Sequence, residues 1–530
     1  MRASAAASRK LSPVQSMPLH LYNTLTRSQE EFVPIDPTGR RVLFYSCGPT
    51  VYDYSHVGNF RAFLNADVLR RTLELLGHDV RHVMNITDVG HMTDDANPDG
   101  GGEDKMEVAS RRLLEAKKSG ALPDGVDIDP GDPWAIANFY ADAFIEDARR
   151  LGMKVVADAD TEPQLLPRPT QYIDQMIQLI ERLIEEDHAY VAADGVVYFS
   201  VDSFPDYGQL SGNTLDALRS GEGGRVDMST QEIKRNPSDF MLWKPDASHT
   251  MKWDSPWGAG YPGWHLECSV MASALLGAET NDQIDLHSGG EDNIFPHHEC
   301  EIAQSRCASG APSFARYWFH TRHLMVDGGK MSKSLGNFYT IRDLIDRGVS
   351  PAAVRLELIK THYRANSNFT LQGLKDSQRQ IERWRKVHAW LSEHADVARS
   401  GPGPLVDALP RFEAALYSDL NVAGAIGVLN EAIGELPMQD EPTTGGDGTW
   451  SEDLAALDRM DSVLGVLTLE SSGGGGAVDE AAILGAIEAR NAARDAKDWG
   501  EADRIRDELL EAGIAIKDGA EGTTWSQVLQ

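Results

Sequence analysis

Arg41-Val42-Leu43-Phe44-Tyr45-Ser46 is a β-prone run that breaks off at Cys47-Gly48-Pro49-Thr50, and the segment from Asn59 to Leu76 behind it carries helical periodicity. A second strand is predicted from Val80 to Ile86. Strand, loop, helix, strand leaves the chain few options. Parallel strands need a long crossover, such crossovers are right-handed, and the result is the β-α-β opening of a nucleotide-binding sheet.

The rest of the chain reads as additions to that sheet. Helical patterns run from Asp132 to Leu151 and from Thr170 to Glu186. Between about 155 and 261 the pattern shifts to short strands, such as Val196-Val197-Tyr198-Phe199, and much loop, as expected of an insertion between two halves of a sheet. The sheet resumes near Ile284-Asp285-Leu286-His287. Beyond Asp343 helices are predicted at Pro351 to His362, Leu371 to Val397, Ala408 to Leu420 and Val422 to Leu436. Gly-rich breaks at Glu441 to Thr449 and Ser471 to Gly476 cannot pack a core. The expected class is therefore α/β: a Rossmann-type parallel sheet over 17–345 with an insertion at about 155–261, a helical bundle over 346–470, a linker over 471–478 and a small terminal unit over 479–530.

A chain of 530 residues has room for several domains, and a net charge of −31 argues against gripping nucleic acid through a generally basic surface. Any RNA partner must meet local patches. No apolar run is long enough to span a membrane. Four cysteines make no disulfide framework, which fits a reducing cytoplasm. Met1 to Ser16, rich in Ala, Ser and basic residues, faintly resembles a transit peptide but reads better as a disordered tail or over-extended start.

Cys47, Cys268, His297 and Glu301 offer two thiolates, an imidazole and a carboxylate, ligand types that zinc accepts. His297 and Glu301 stand four apart, so a helix through Pro296 to Glu301 projects both from one face. No spacing rule ties Cys47 to Cys268, and read singly these residues are equally a packed thiol and a solvated helix face. Cys300 and Cys307 read as packed thiols.

Two further motifs handle phosphate. Lys330-Met331-Ser332-Lys333-Ser334 follows Gly328-Gly329, and an exact five-letter match arises by chance with probability on the order of 10⁻⁴. Its lysines are movable point charges for a leaving pyrophosphate. His56-Val57-Gly58-Asn59 sits where a strand turns into a helix, with free N–H groups to attract phosphate. Gly58 permits close approach and His56 donates hydrogen bonds as negative charge grows.

Those strings, together with Asn85-Ile86-Thr87-Asp88, Gly263-Trp264-His265-Leu266-Glu267-Cys268-Ser269 and Phe295-Pro296-His297-His298-Glu299, resemble the cysteinyl-tRNA synthetases of class I from about Leu19 to Trp525. The resemblance implies ATP-dependent formation of cysteinyl-adenylate and transfer to tRNA(Cys). It implies one zinc per subunit on Cys47, Cys268, His297 and Glu301, binding the substrate thiol, and magnesium with ATP. His56, Asn59, Lys330 and Lys333 take the catalytic roles; Thr50, Gly58, Gly290 and Asp292 join them around ATP; Cys47, Thr87 and Trp264 line the amino-acid pocket. Asn59 stands where the family usually has histidine, and Asn97 to Gly102 lengthens a loop that is normally shorter. A monomer is the family's expectation.

The basic residues Arg490, Arg494, Lys497, Arg504 and Arg506, interleaved with Trp499 and Trp525, resemble the family's terminal tRNA-binding domain, and Arg379, Arg383, Arg385 and Lys386 offer a second patch. Two rivals remain at this level: a paralogous ligase that joins cysteine to an amino sugar, and a non-catalytic tRNA-binding relative.

Overall fold

The computed structural model describes residues 17–89, 92–94, 101–119, 128–213, 233–332, 336–399, 401, 403–438, 448–469, 480–511, 514–519 and 522–527. Met1 to Ser16, Lys333 and Ser334, most of the Asn97 to Gly102 loop and the two Gly-rich breaks lie outside the described residues, except for Gly448 and Thr449.

Four parallel strands form the central sheet, in the order Ala315–Thr321, Ile284–Gly290, Arg41–Ser46, Asp79–Met84. The two central strands are buried along almost their whole length, with Val42, Phe44, Tyr45, Ile284 and Leu286 fully buried, as in a parallel sheet packed on both faces. The chain leaves Arg41–Ser46 toward one side and returns much later to place Ile284–Gly290 on the other. That reversal opens a crevice beyond the carboxyl ends of these two strands, the place where such sheets bind ligands.

The predicted crossover helix spans Val57–Leu75. Its Asp67 lies 2.6 Å from Arg355 on the Pro351–Ile359 helix, both side chains essentially fully buried, and Arg355 also donates to the carbonyls of Leu151 and Leu464. Burial alone would raise the Asp67 carboxyl, but Arg71 and Arg355 hold it well below the usual carboxylate range. Arg71 partners the same carboxylate at 2.6 Å, so Arg355 is one of two guanidinium groups on this buried charge and ties the crossover helix to the helices that follow.

Between the two halves of the sheet lies a four-stranded antiparallel sheet, ordered Gly260–Pro262, Phe240–Pro245, Val197–Phe199, Ala189–Val191. Helices Leu371–Glu393, Pro404–Tyr417, Val422–Gly434 and Trp450–Leu464 pack around Trp384, Phe412, Leu429 and Met460. The end of the chain has its own small core of Ile483, Ile487, Ile505, Leu509 and Ile514, built by two helices and the Ile514–Gly519/Gly522–Gln527 hairpin. No described helix is long and apolar enough to cross a membrane. All four cysteines are buried and free of disulfides.

Candidate active site and metal centre

Every residue of the crevice follows the carboxyl end of a sheet strand. Cys47 comes directly after Arg41–Ser46, and its N–H donates to the Ser288 carbonyl at 2.9 Å. Trp264 opens the helix that carries Cys268 one turn later, Trp264–Leu276. His297 and Glu301 lie beyond Ile284–Gly290. The expected helix from Pro296 to Glu301 is formed, helical backbone running on from Pro296 into Glu299–Ser309. Pro296 has no N–H and pushes its predecessor out of the helical region, so Phe295, just before the run, is extended. His297 and Glu301 share a face as expected, with His297 Nε2 2.8 Å from Glu301 Oε1.

The four sequence-distant donors meet. Cys47 Sγ is 3.9 Å from Cys268 Sγ, and ligand atoms of Cys47, His297, His298 and Glu301 lie within 4.8 Å of one another. Burial resists ionisation of Cys268, yet Cys47 and His297 bring its thiol down to about 7. Burial likewise opposes charge on His297 and Glu301, but Glu301 and Cys268 raise His297 to about 10, and His287 and His297 hold Glu301 at about 2. Glu301 Oε1 is buried and accepts no well-aligned hydrogen bond, although His297 stands beside it. Two polar atoms aimed past each other, with two sulfurs alongside, fit a common cation, and the mixed sulfur, nitrogen and oxygen set is compatible with zinc.

Sequence reasoning missed the groups that hold these donors. Glu301 Oε2 receives His287 Nε2 at 2.6 Å, and the His287 ring stacks on Trp318. His297 Nδ1 lies 3.0 Å from His265 Nδ1, which leaves Nε2 turned to Glu301 as the atom that could meet a cation. His298 Nε2 is 3.2 Å from Cys47 Sγ, His298 Nδ1 is 2.8 Å from His320 Nε2, and His320 Nδ1 is 2.8 Å from Thr24 Oγ1. With Cys47 a thiolate, the donors run one way, from Thr24 through His320 and His298 to the sulfur. His298 thus serves Cys47 as a donor. The signal that could have found them is histidine inside apolar strand runs, at 287 and 320.

Thr87 Oγ1 donates to Glu267 Oε2 at 3.1 Å and accepts from Asn85 Nδ2 at 2.9 Å. Burial, reinforced by Asp88, pushes Glu267 well above the usual carboxylate range. Trp264 stacks on His297, ring centroids 4.3 Å apart.

The phosphate side adjoins this pocket. Thr50 and Thr87 form a parallel bridge. His56 caps the Val57–Leu75 helix: Asn59 N donates to His56 Nδ1 at 3.2 Å and His56 N to Asn59 Oδ1 at 3.1 Å. With Nδ1 accepting, the His56 proton sits on Nε2, and Asn59 keeps its amide as a donor. A Cβ on Gly58 would press on the His56 ring at 3.0 Å and on Met331 Cε at 3.3 Å, so the absent side chain lets the lysine loop approach. Thr340 bridges to His56, and Val57 N donates to Tyr339 O. Lys330 is exposed, and Asn337 ties the loop base by accepting from Ser332 N at 2.8 Å and donating to Lys330 O at 3.2 Å. Arg61, fully buried, donates to the carbonyls of Arg322, His323, His362 and Ala365 at the loop's root. Gly290 opens the Glu291–Asn293 turn, its N–H donating to Asn293 Oδ1 at 3.0 Å, and leaves Asp292 exposed at the crevice. Lys333 lies outside the described residues.

Sequence comparison meets this geometry. A model of the class I (C) tRNA synthetase catalytic domain matches residues 33–379, and a model of the cysteinyl-tRNA ligase anticodon-binding domain matches 481–525. The cysteine–tRNA ligase of Salinibacter ruber is 41% identical, covering 96% of this chain and 98% of that protein. The chain belongs to the cysteine–tRNA ligase family. It is an ATP-dependent ligase among the class I aminoacyl-tRNA synthetases, enzymes of protein biosynthesis. The cysteine–tRNA ligase of Chlorobaculum tepidum is likewise 41% identical over 96% of this chain and 99% of its own length. The fold is also that of Mycobacterium tuberculosis methionyl-tRNA synthetase in complex with methionyl-adenylate, with TM-score 0.51 at 12% identity, covering 81% of this chain and 90% of that one. The amino-sugar ligase reading is not favoured, because the family match runs on through the anticodon-binding segment.

In that segment Trp499 is 60% exposed, whereas Arg490 is buried and Arg504 is engaged by Glu501 and Glu508. In the second basic patch Arg385 is spent on the carbonyls of Val466, Leu467 and Leu469. The side chain of Trp525 lies outside the described residues.

Proposed function

We propose that the chain activates L-cysteine with ATP and passes the cysteinyl group to the 3′ end of tRNA(Cys), and that one zinc ion on Cys47, Cys268, His297 and Glu301 selects the thiol. The observation that carries this reading is the convergence of those buried donors at the sheet's switch point, beside a helix N-terminus and a lysine loop. Zinc bound there would take the substrate thiol as a thiolate and lower its pKa. Serine offers a harder, far more basic oxygen, so the site rejects it without an editing domain.

The remaining residues position and stabilise. Thr87 and Trp264 line the pocket so that the substrate carboxylate faces the α-phosphorus. That oxygen forms the new P–O bond while the bond to pyrophosphate breaks. Near-attack geometry and fixed charge supply most of the acceleration. His56 Nε2 and the Asn59 amide donate to the phosphates, Thr50, Gly58, Gly290 and Asp292 shape the nucleotide site, and Lys330 and Lys333 meet the charge of the departing pyrophosphate. Magnesium accompanies ATP.

The helical bundle over 346–470 and the unit over 479–530 meet the tRNA, the 471–478 linker joins them, and the enzyme works as a cytoplasmic monomer. The test is transfer of labelled cysteine to tRNA by zinc-loaded protein with ATP, serine serving as competitor. Cysteine-selective charging is expected. Folded, metal-filled protein that charges neither tRNA nor forms adenylate refutes the reading.

A further inference from the structure

Lys105 is out of place for its helix. In Lys105–Ser119 the buried stripe is Lys105, Met106, Ala109 and Leu113, while Lys117 and Lys118 at the other end are exposed. An amphipathic helix normally puts an apolar residue at such a position, and lysine is almost never buried without something that favours its charge. Yet Lys105 is only 2% exposed.

Two ring faces favour the charge, and the Glu267 carboxyl feels it as well. The Lys105 ammonium lies 5.3 Å from the Trp264 ring centroid and 5.4 Å from that of Tyr52, both within cation–π range. Tyr52 belongs to the loop that starts at Cys47, and Trp264 begins the helix that carries Cys268. Trp264 also stacks on His297 at 4.3 Å. The ammonium therefore braces the two segments that deliver the thiols, through one ring on each.

The brace is itself anchored. Asp104 Oδ1 accepts from Met106 N at 2.7 Å and Glu107 N at 3.1 Å, capping the helix, while its other oxygen lies 2.7 Å from His249 Nε2. The His249 ring stacks on Tyr261, in the inserted antiparallel sheet, at 4.0 Å. The start of the helix, and with it Lys105, is thus fixed to the inserted sheet as well.

We infer that Lys105 is a positioning residue of the amino-acid pocket, acting on bound cysteine through Trp264 by holding that ring against His297. The inference rests on the thiol-selecting role proposed for the metal centre. Removing the cation while keeping an apolar stem frees Trp264 to tilt, which weakens cysteine and leaves ATP alone. Arginine, a cation that stacks well on indole, restores the hold.

The test uses the full chain with cobalt in place of zinc, because thiolate bound to cobalt absorbs light and reports cysteine binding without turnover. Lys105→Met is expected to weaken cysteine about tenfold, with unchanged metal content and unchanged KM for ATP, and Lys105→Arg to recover most of that loss. In a Trp264→Leu background, Lys105→Met is expected to add nothing further, whereas a merely structural lysine gives additive losses. Equal cysteine affinity in the parent and in Lys105→Met, or full additivity, overturns the inference. If Lys105→Met does not fold, Lys105→Arg decides by the same titration: a tenfold loss there contradicts a cation–π brace. A parent protein whose cobalt spectrum ignores cysteine refutes the metal reading instead, whatever Lys105 does.

Discussion

The sulfur end and the phosphate end of the crevice are built on opposite plans. At the sulfur end Cys47 comes from a segment more than two hundred residues before the other donors, all four are buried, and three are gripped by a neighbouring histidine: His298 on Cys47, His265 on His297, His287 on Glu301. At the phosphate end the groups sit in contiguous motifs, and Lys330 and Asp292 are exposed. The difference follows from what each end must recognise. Telling a thiol from a hydroxyl needs a dry, preorganised donor set, because water at the metal would compete. Following a leaving pyrophosphate needs charge that moves with it, which a tethered loop supplies and a packed core forbids.

Cys268→Ser strikes that contrast hardest. It is expected to strip most of the zinc and reduce cysteine-over-serine discrimination by about 10³-fold or more, measured by metal analysis and competitive adenylate formation. Retained metal and unchanged discrimination would place the thiol reader elsewhere. At the other end, Lys330→Ala is expected to slow single-turnover adenylate formation by about 10²- to 10³-fold with zinc content untouched, and Lys333→Ala to do the same. A loss of zinc in either lysine variant would show that the two ends are not independent.

A subtler break targets the grip on a ligand. His287→Gln removes the donor that aims Glu301 and is expected to weaken zinc by about 10- to 100-fold, read by competition with a chelator, while adenylate formation at saturating zinc stays near normal. Equal zinc affinity would mean that packing alone, such as that of Trp318, orients Glu301.

The same contrast governs what could be read from the amino acids alone. The motifs proposed to handle phosphate stand out because each is a local string whose spacing is its geometry, and the strand from Arg41 to Ser46 stood at its predicted bounds. The proposed metal ligands were nameable by residue type and family resemblance, but Cys47 and Cys268 carry no mutual spacing. Only the sheet's reversal and the helix from Trp264 bring them together. His265, His287 and His320 escaped because a histidine's partner depends on tertiary register: His287 faces Trp318 through a parallel pairing that no local pattern encodes. The helix from Pro296 to Glu301 was legible for a local reason, since proline is tolerated at a helix start and only Phe295, before it, is extended.

The smallest expected effect tests what holds Lys330 in position at the base of its motif. Asn337 is the staple there, accepting from Ser332 N and donating to Lys330 O. Both bonds are local and partly exposed, so Asn337→Ala is worth about 1 kcal/mol, or roughly fivefold in the rate of adenylate formation. The change acts on the placement of Lys330, so cysteine binding and zinc content should not move. If the staple mattered only for folding, the variant would lose thermal stability while its adenylate rate per folded molecule stayed normal. If the rate falls at constant stability, the phosphate end owes its precision to a few hydrogen bonds at a hinge, where the sulfur end owes its own to a packed ring of histidines.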